Sequence, residues 1–344
     1  MHEPRRVLVT GGAGFIGTNF VRYLFSTYPG IEITVLDKLT YAGNPENLKE
    51  FEGREGYRFL QGDIRDRDRV EEAAKGVDII YNFAAETHVD RSIGEALDFV
   101  RTDVEGTCVL LTHALEAKIP RFVQVSTDEV YGSIETGSFS EGDALEPNSP
   151  YAASKAGGDL LVRSFHRTYG LPVLLTRSSN NYGPYQYPEK LIPLFVTNAL
   201  DGESLPLYGD GLNVRDWIYV EDNCRALDLV GRKGEPGGVY NVGAGEEHTN
   251  LEITETILEL TGRDRSLIRY VSDRPGHDRR YSLDSSSARA LGFEPTVGFG
   301  EGLERTVAWY RENRPWWEPI KSGAFKEYYR KMYARRLEEG RTET

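Results

Sequence analysis

Cysteine is nearly absent from this chain. Two occur in 344 residues, Cys108 and Cys224, each inside a helix-like pattern. They read as buried free thiols rather than a disulfide framework, which fits a reducing compartment, the cytoplasm. Long apolar runs are missing as well. None approaches the roughly 18 residues of a membrane span, so no membrane partner is expected. A few polar residues lead straight into an apolar run at Arg6, so no signal peptide is expected either. The six histidines (His2, His88, His113, His166, His248, His277) follow no metal-ligand spacing, and no metal is expected. Lysine and arginine number 41 against 54 acids, a formal charge of −13. That sign disfavours nucleic acid and acidic membrane surfaces as partners. No internal repeat or low-complexity tract is present.

What is there reads as alternating strands and helices, the pattern of a doubly wound, mostly parallel α/β sheet. Arg6 to Thr10 reads as a buried strand and runs into Gly11-Gly12-Ala13-Gly14-Phe15-Ile16-Gly17, then the helical pattern of Phe20, Val21, Leu24 and Phe25. The glycines at 11, 14 and 17 suit a tight turn, close backbone approach and close helix–strand contact, with the helix N-terminus facing a pyrophosphate. A strand from Ile31 to Leu36 ends in Asp37, 20 residues beyond Gly17. A carboxylate there would bond the ribose hydroxyls and repel a 2′-phosphate, favouring NAD over NADP, although Lys38 adjoins it. Tyr57 to Leu60 is a third strand, ending near Asp63 and Ile64, where an adenine could lie. Val77 to Phe83 is a fourth, ending in the small pair Ala84-Ala85 and a polar run through Ser92. A long helix is predicted from about Ser92 to Lys118, with an apolar stripe at Ile93, Leu97, Val100, Val104, Cys108, Leu111 and Leu115 that suits core or a partner helix.

The stretch from Val123 to Gly132 is the chemical centre. An apolar strand delivers Ser126, Thr127, Asp128 and Glu129 at its carboxyl end, where open α/β sheets bind ligands. Adjacent acids can divide two roles on one substrate, one donating a proton and one removing it; a turn or cap role is the plain alternative. Further on, Tyr151 and Lys155 share one face of a helix running to about Tyr169. A lysine beside a phenol favours phenolate, which can take a proton from a sugar hydroxyl.

The glycine turn, Tyr151-Ala152-Ala153-Ser154-Lys155 and Arg177-Ser178-Ser179-Asn180-Asn181-Tyr182-Gly183-Pro184 resemble the extended short-chain dehydrogenase/reductase superfamily. Ser126-Thr127-Asp128-Glu129-Val130-Tyr131-Gly132 and Asp273-Arg274-Pro275-Gly276-His277-Asp278-Arg279-Arg280-Tyr281 are similar to signatures of its dTDP-glucose 4,6-dehydratases. The resemblance covers nearly the whole chain; one departure is Thr87, where that family more often has serine. It implies an NAD that stays bound and three steps on dTDP-glucose. Tyr151 takes the C4 hydroxyl proton as C4 is oxidised. Glu129 removes the C5 proton while Asp128 protonates the leaving C6 hydroxyl. Hydride then returns to C6. Thr127 would bond the C4 oxygen, and Lys155 would hold the nicotinamide ribose. The resemblance also implies cofactor contacts from Phe15, Ile16, Lys38, Thr40, Phe83, Thr87, Thr102 and Asn181, and substrate contacts from Thr87, Asn180, Lys190, Leu191 and Pro206. A homodimer through helices near 95–118 and 151–169 is implied too.

The later chain reads as the nucleotide-sugar half. Tyr182 to Pro188 is an aromatic, proline-bearing loop, and Leu205 to Gly209 is extended. Arg215, Asn250, Arg274 and His277 are candidates for the pyrophosphate and nucleoside, with Tyr208 against the base. Trp217 to Val220 and Val239 to Val242 read as strands returning to the main sheet around a helix from Val220 to Val230. The domains expected are residues 1–178 plus about 215–242 for NAD, and about 179–214 plus 243–337 for the nucleotide sugar. Trp316, Trp317, Tyr328, Tyr329 and Tyr333 suggest a packed C-terminal extension, fraying after Leu337. A dehydratase of UDP or GDP sugars, a 4-epimerase and a non-catalytic NAD-binding regulator remain alternatives at this level.

Overall fold

The computed structural model describes residues 3–273, 276–322, 327 and 329. The strands are β1 (Arg6–Thr10), β2 (Glu32–Asp37), β3 (Tyr57–Gln61), β4 (Ile79–Asn82), β5 (Phe122–Thr127), β6 (Val173–Ser178), β7 (Asn180–Tyr182), β8 (Leu205–Tyr208), β9 (Val214–Tyr219), β10 (Val239–Val242), β11 (Glu247–Thr249) and β12 (Ile268–Val271). The helices are α1 (Phe15–Thr27), α2 (Arg67–Ala73), α3 (Val89–Gly94), α4 (Ala96–Phe99), α5 (Thr107–Glu116), α6 (Pro150–Tyr169), α7 (Leu191–Asp201), α8 (Val220–Lys233), α9 (Asn250–Thr261), α10 (Ser286–Ala290), α11 (Phe299–Glu312) and α12 (Arg314–Lys321).

Among the described residues, seven strands form one sheet in the order β10-β6-β5-β4-β1-β2-β3. Every pairing in it is parallel. Side chains alternate across a strand, so Val7, Val9, Ile79 and Tyr81 enter the core beneath α1 and α8, whereas Leu8 and Ile80 enter the core beneath α2, α5 and α6. Strands buried on both faces must be apolar throughout, which is why these segments read as continuous runs. The sheet order reverses between β1 and β4, and that crevice opens at their carboxyl ends.

Two smaller sheets lie beyond it: β11-β9-β7, and β12 beside β8. A third apolar core joins β8, β9, α7, α9, α11 and α12 around Tyr182, Trp217, Phe299 and Trp317. Here the expected topology is corrected. Trp217 does not return to the main sheet; β9 pairs with β7 (Asn180↔Trp217, Asn181↔Ile218, Tyr182↔Tyr219). The edge of β6 is already occupied by β10, and the large Trp217 and Tyr219 rings find their burial against Tyr182. Tyr182 closes β7, and the loop expected over 182–188 follows from Gly183 onward.

The single helix expected over 92–118 is broken. α3 stops at Glu95 (φ −133°, ψ 39°), α4 follows, and Val100–Gly106 winds as a π-helix before α5. Glycines 157 and 158 of α6 face this widened turn. A Cβ on Gly158 would lie 2.8 Å from the Asp103 carbonyl oxygen. Trp317 of α12 is fully buried. Tyr328, Tyr333 and the segment after Leu337 lie outside the described residues.

Candidate active site

β5 and α6 bring the chemistry together. Thr127 ends β5 and caps the short 3₁₀ turn Asp128–Tyr131, its Oγ1 accepting from the Glu129 N–H at 3.3 Å. The cap is therefore the threonine, and the two acids are left for other work. Ser149 caps α6 by accepting from Ala152 N–H at 3.1 Å, and Pro150 sets its first turn. That places Tyr151 at the start of α6, edge-on to Phe99, and Lys155 one turn later. The Lys155 ammonium, itself buried, donates to the Val125 carbonyl at 2.8 Å, so α6 is tied directly to β5.

Electrostatics separate the groups. Burial first, and then the Glu129 charge, push the Asp128 carboxyl well above the usual range, which favours its protonated form. Its Oδ1 accepts from Thr127 Oγ1 at 3.1 Å, and its Oδ2 has no partner among the described residues. Half-buried Glu129 lines both halves of the cleft. The Tyr151 phenol is also raised, by burial first and then by Glu129 and Asp103; a hydrogen bond with Thr127 partly offsets this. The expected lowering by Lys155 is therefore not the dominant effect. The ammonium is committed to Val125, and its charge acts on Asp103.

Asp103 is a group that sequence reasoning missed. The π-helix turns it inward, where Oδ2 accepts from Ser154 Oγ at 2.6 Å and Oδ1 from Glu86 N–H at 3.2 Å. Glu86, pushed up to about 7 chiefly by burial and then by Asp103, faces the same cleft. The available signal was position: Asp103 follows Thr102, already a cofactor candidate, and Glu86 follows the Ala84-Ala85 pair.

The cleft at the carboxyl ends of β1, β2, β4 and β5 is lined by Gly11, Gly14, Phe15, Ile16, Gly17, Asp37, Lys38, Thr40, Asp63, Ile64, Phe83, Ala84, Ala85, Thr87, Thr102, Thr127, Asp128, Glu129, Tyr151, Lys155, Asn180, Asn181 and Lys190. Its walls suit a dinucleotide. The first α1 bond runs from Thr18 N to Gly14 O, leaving the N–H groups of Phe15, Ile16 and Gly17 at the helix mouth. A Cβ on Gly17 would sit 2.4 Å from Gly11 O, and one on Gly11 (φ +67°) 2.7 Å from Ala84 N, so neither position admits a side chain. Asp37 accepts from Ala13 N–H and Leu39 N–H at 2.9 and 2.8 Å, which fixes its carboxylate at the cleft edge. Lys38 does not oppose it; its ammonium pairs with Asp63 at 3.1 Å. With Arg65 also bonded, Asp63 falls to about 2 despite partial burial. Asn180 Oδ1, Asn181 Oδ1 and Gln186 Oε1 are buried acceptors with no partner among the described residues, which suits a polar ligand.

An adjoining pocket meets this cleft at Glu129, Asn180, Asn181 and Lys190. It is lined by Leu191, Pro206, Tyr208, Arg215, Asn250 and His277, together with Tyr281, the last residue of the Asp273–Tyr281 motif. The Arg215 guanidinium donates to the carbonyls of Val214 and Asp278 at 2.7 and 2.8 Å and stacks 4.2 Å over the Tyr281 ring. His277 Nδ1 lies 2.6 Å from Asp273, and its ring stands edge-on to Tyr208 at 6.0 Å. Arg274 lies outside the described residues. Among those described, no cluster of histidine, cysteine and acidic groups could hold a metal ion, and no helix is long and apolar enough to cross a membrane.

Comparison with known proteins agrees in extent and in shape. The family model described as GDP-mannose 4,6 dehydratase matches residues 8–306. A dTDP-glucose 4,6-dehydratase of Streptomyces niveus is 57% identical over 322 residues, 92% of this chain and 96% of the relative. The low-salt glycan biosynthesis protein Agl12 of Haloferax volcanii is 57% identical over 304 residues, 88% and 98% of the two chains. The crystal structure of DesIV, a dTDP-glucose 4,6-dehydratase from Streptomyces venezuelae with NAD and TDP bound, superposes with a TM-score of 0.90 at 57% identity, covering 92% of this chain and 100% of that one.

Proposed function

The chain belongs to the dTDP-glucose 4,6-dehydratase family of extended short-chain dehydrogenases/reductases, and from that premise we propose that it converts dTDP-glucose to dTDP-4-keto-6-deoxy-glucose and water. The observation that carries the proposal is the pair Asp128 and Glu129 beside Tyr151: a buried acid whose environment favours the protonated form, next to a second, half-buried carboxyl. A 4-epimerase needs the tyrosine but has no use for both acids.

NAD, when bound along the first cleft, accepts hydride from C4 and returns it at C6, so the cycle consumes no reductant. Tyr151 receives the C4 hydroxyl proton, and Thr127 turns its hydroxyl to hold the C4 oxygen. A C4 ketone makes the C5 hydrogen acidic. Glu129 takes that proton, and Asp128 gives its own to the departing C6 hydroxyl, which leaves as water; as hydride returns to C6, a proton returns to C5 and completes the 6-deoxy product. Glu129 reaches both pockets, which suits a sugar seated between the cofactor and the nucleotide. Arg215, Asn250, Tyr208, His277 and Lys190 then receive the nucleoside diphosphate.

The reading extends to organisation. The two halves act as domains, supported by their separate apolar cores. Two copies associate through α4, the π-helix and α6, where Leu97 (60% exposed), Val100 (46%) and Leu160 (56%) leave apolar surface open. The enzyme works in the cytoplasm, in keeping with two free thiols.

The test is a mass spectrum of the nucleotide sugar after incubation with dTDP-glucose and no reductant. Loss of one water with no net NADH is the expected result. Unchanged mass with inverted C4 would mean an epimerase. Turnover of UDP- or GDP-glucose alone would move the substrate, and NAD binding without turnover of any sugar would leave a regulator.

A further inference from the structure

The dinucleotide turn is held from a place far along the chain. Both polar groups of Ala13, at the centre of Gly11–Gly17, are taken up by protein. Its N–H donates to Asp37 Oδ2 at 2.9 Å, and its carbonyl accepts from Asn44 N–H at 3.1 Å and from Asn47 Nδ2 at 3.0 Å. Asn47 is 1% exposed, in the 3₁₀ turn Pro45–Phe51. Its Oδ1 accepts from the Trp316 indole N–H at 2.7 Å. The amide can point only one way: the Ala13 carbonyl can only accept and the indole N–H can only donate. Trp316 belongs to α12, whose neighbouring residue Trp317 is buried in the core of the nucleotide-sugar half. Around it, Tyr185 and Trp309 pack against the indole, and Arg22 of α1 lies 4.2 Å over the Tyr185 ring while donating to the Asn47 carbonyl at 2.6 Å.

We propose that Asn47 and Trp316 are positioning residues for cofactor retention: the C-terminal helix of the sugar half, through the Asn47 amide, holds the glycine turn in the shape that grips the NAD pyrophosphate. The Ala13 carbonyl and the Gly14 N–H share one rigid peptide plane. Pinning the carbonyl sets the direction in which the chain enters α1, and so where the free N–H groups of its first turn point. The same residue orients Asp37, so both the ribose and the pyrophosphate contacts depend on one clamp. The clamp joins the two halves, so opening the cleft at α12 loosens the turn.

This inference rests on the reading of NAD as resident cofactor. Trp316→Phe keeps the ring and removes the N–H, leaving Asn47 Oδ1 buried without a donor. Asn47→Asp sets a carboxylate oxygen against the Ala13 carbonyl. Bound NAD is measured in purified protein, and its release is followed by exchange against labelled NAD. Release should quicken about tenfold in Trp316→Phe, the scale of one net hydrogen bond, and more in Asn47→Asp; both variants should melt somewhat below the parent, so release is compared at a temperature where all are fully folded. Trp309→Phe, in the same aromatic cluster with its ring 5.1 Å from Trp316, should leave release unchanged. Unchanged release in both Trp316→Phe and Asn47→Asp would overturn the clamp, as would equal loss in Trp309→Phe, which would make the cluster mere packing. Parent protein that neither carries nor binds NAD would overturn the cofactor reading and this inference with it.

Discussion

At the scale of single residues, the burial that raises the Asp128 carboxyl, on which its proposed acid role rests, costs stability. Its carboxyl is raised in the folded protein, so folding holds a proton that the unfolded chain releases above a pH of about 4. The cost is absent at low pH and grows as pH rises toward the folded value. Asp128→Asn removes it. That variant should lose roughly 10²–10⁴-fold in dehydration, yet melt higher than the parent at pH 7.5, with the gap closing toward pH 4; paired melts at the two pH values check the sign. Glu129→Gln should lose a similar factor while C4 oxidation survives, visible as reduced nicotinamide absorbance that builds up with dTDP-glucose. A third prediction concerns Asp103, whose charge raises Tyr151. Asp103→Asn lowers the phenol's proton affinity, and a base works only when ionised, so the rising limb of kcat/KM against pH should move to lower pH. A limb that stays put would remove Asp103 from the site's electrostatics. Thr127, Asp128, Glu129, Tyr151 and Lys155 were legible because short spacings carry them on one strand end and one helix face. Asp103 and Asn47 were not, because each acts through a partner distant in sequence.

Among elements, α6 and the π-helix decide the site's dimensions. Gly157 and Gly158 let α6 approach Val104 and Asp103 so closely that an added Cβ at 158 meets a backbone oxygen. Gly158→Ala must push α6 outward. The expected loss is about 1–3 kcal/mol of stability, the usual scale of overpacking, read from urea unfolding, together with a fall in kcat because Tyr151 and Lys155 move with the helix. The seven-residue apolar repeat suggested an unbroken helix over 92–118, since periodicity reports faces and cannot report a change of winding. A π-turn shifts the phase of the stripe: Leu111 is buried, while Leu97 and Val100 stay exposed.

For the whole molecule, the exposed stripe carries the proposed self-association. Leu97→Glu combined with Leu160→Glu places charge on that surface and should yield monomers in sedimentation velocity. An unchanged species would send the interface elsewhere. The cleft itself is a property of the whole, since Asn180, Asn181, Gln186 and Lys190 face Gly11–Gly17 and Ala84–Thr87 only after the two halves pack. Sequence by itself determined the parallel sheet, the dinucleotide turn, the acid pair and the Tyr/Lys face, because runs of buried strand, glycine spacing and i,i+4 geometry are local properties. Only the tertiary structure decided that β9 leaves the main sheet, that Asp103 turns inward and that Trp316 reaches Asn47 across 269 residues. Those outcomes depend on which edges and cavities remain once the large side chains are buried, and no short window of sequence contains that competition.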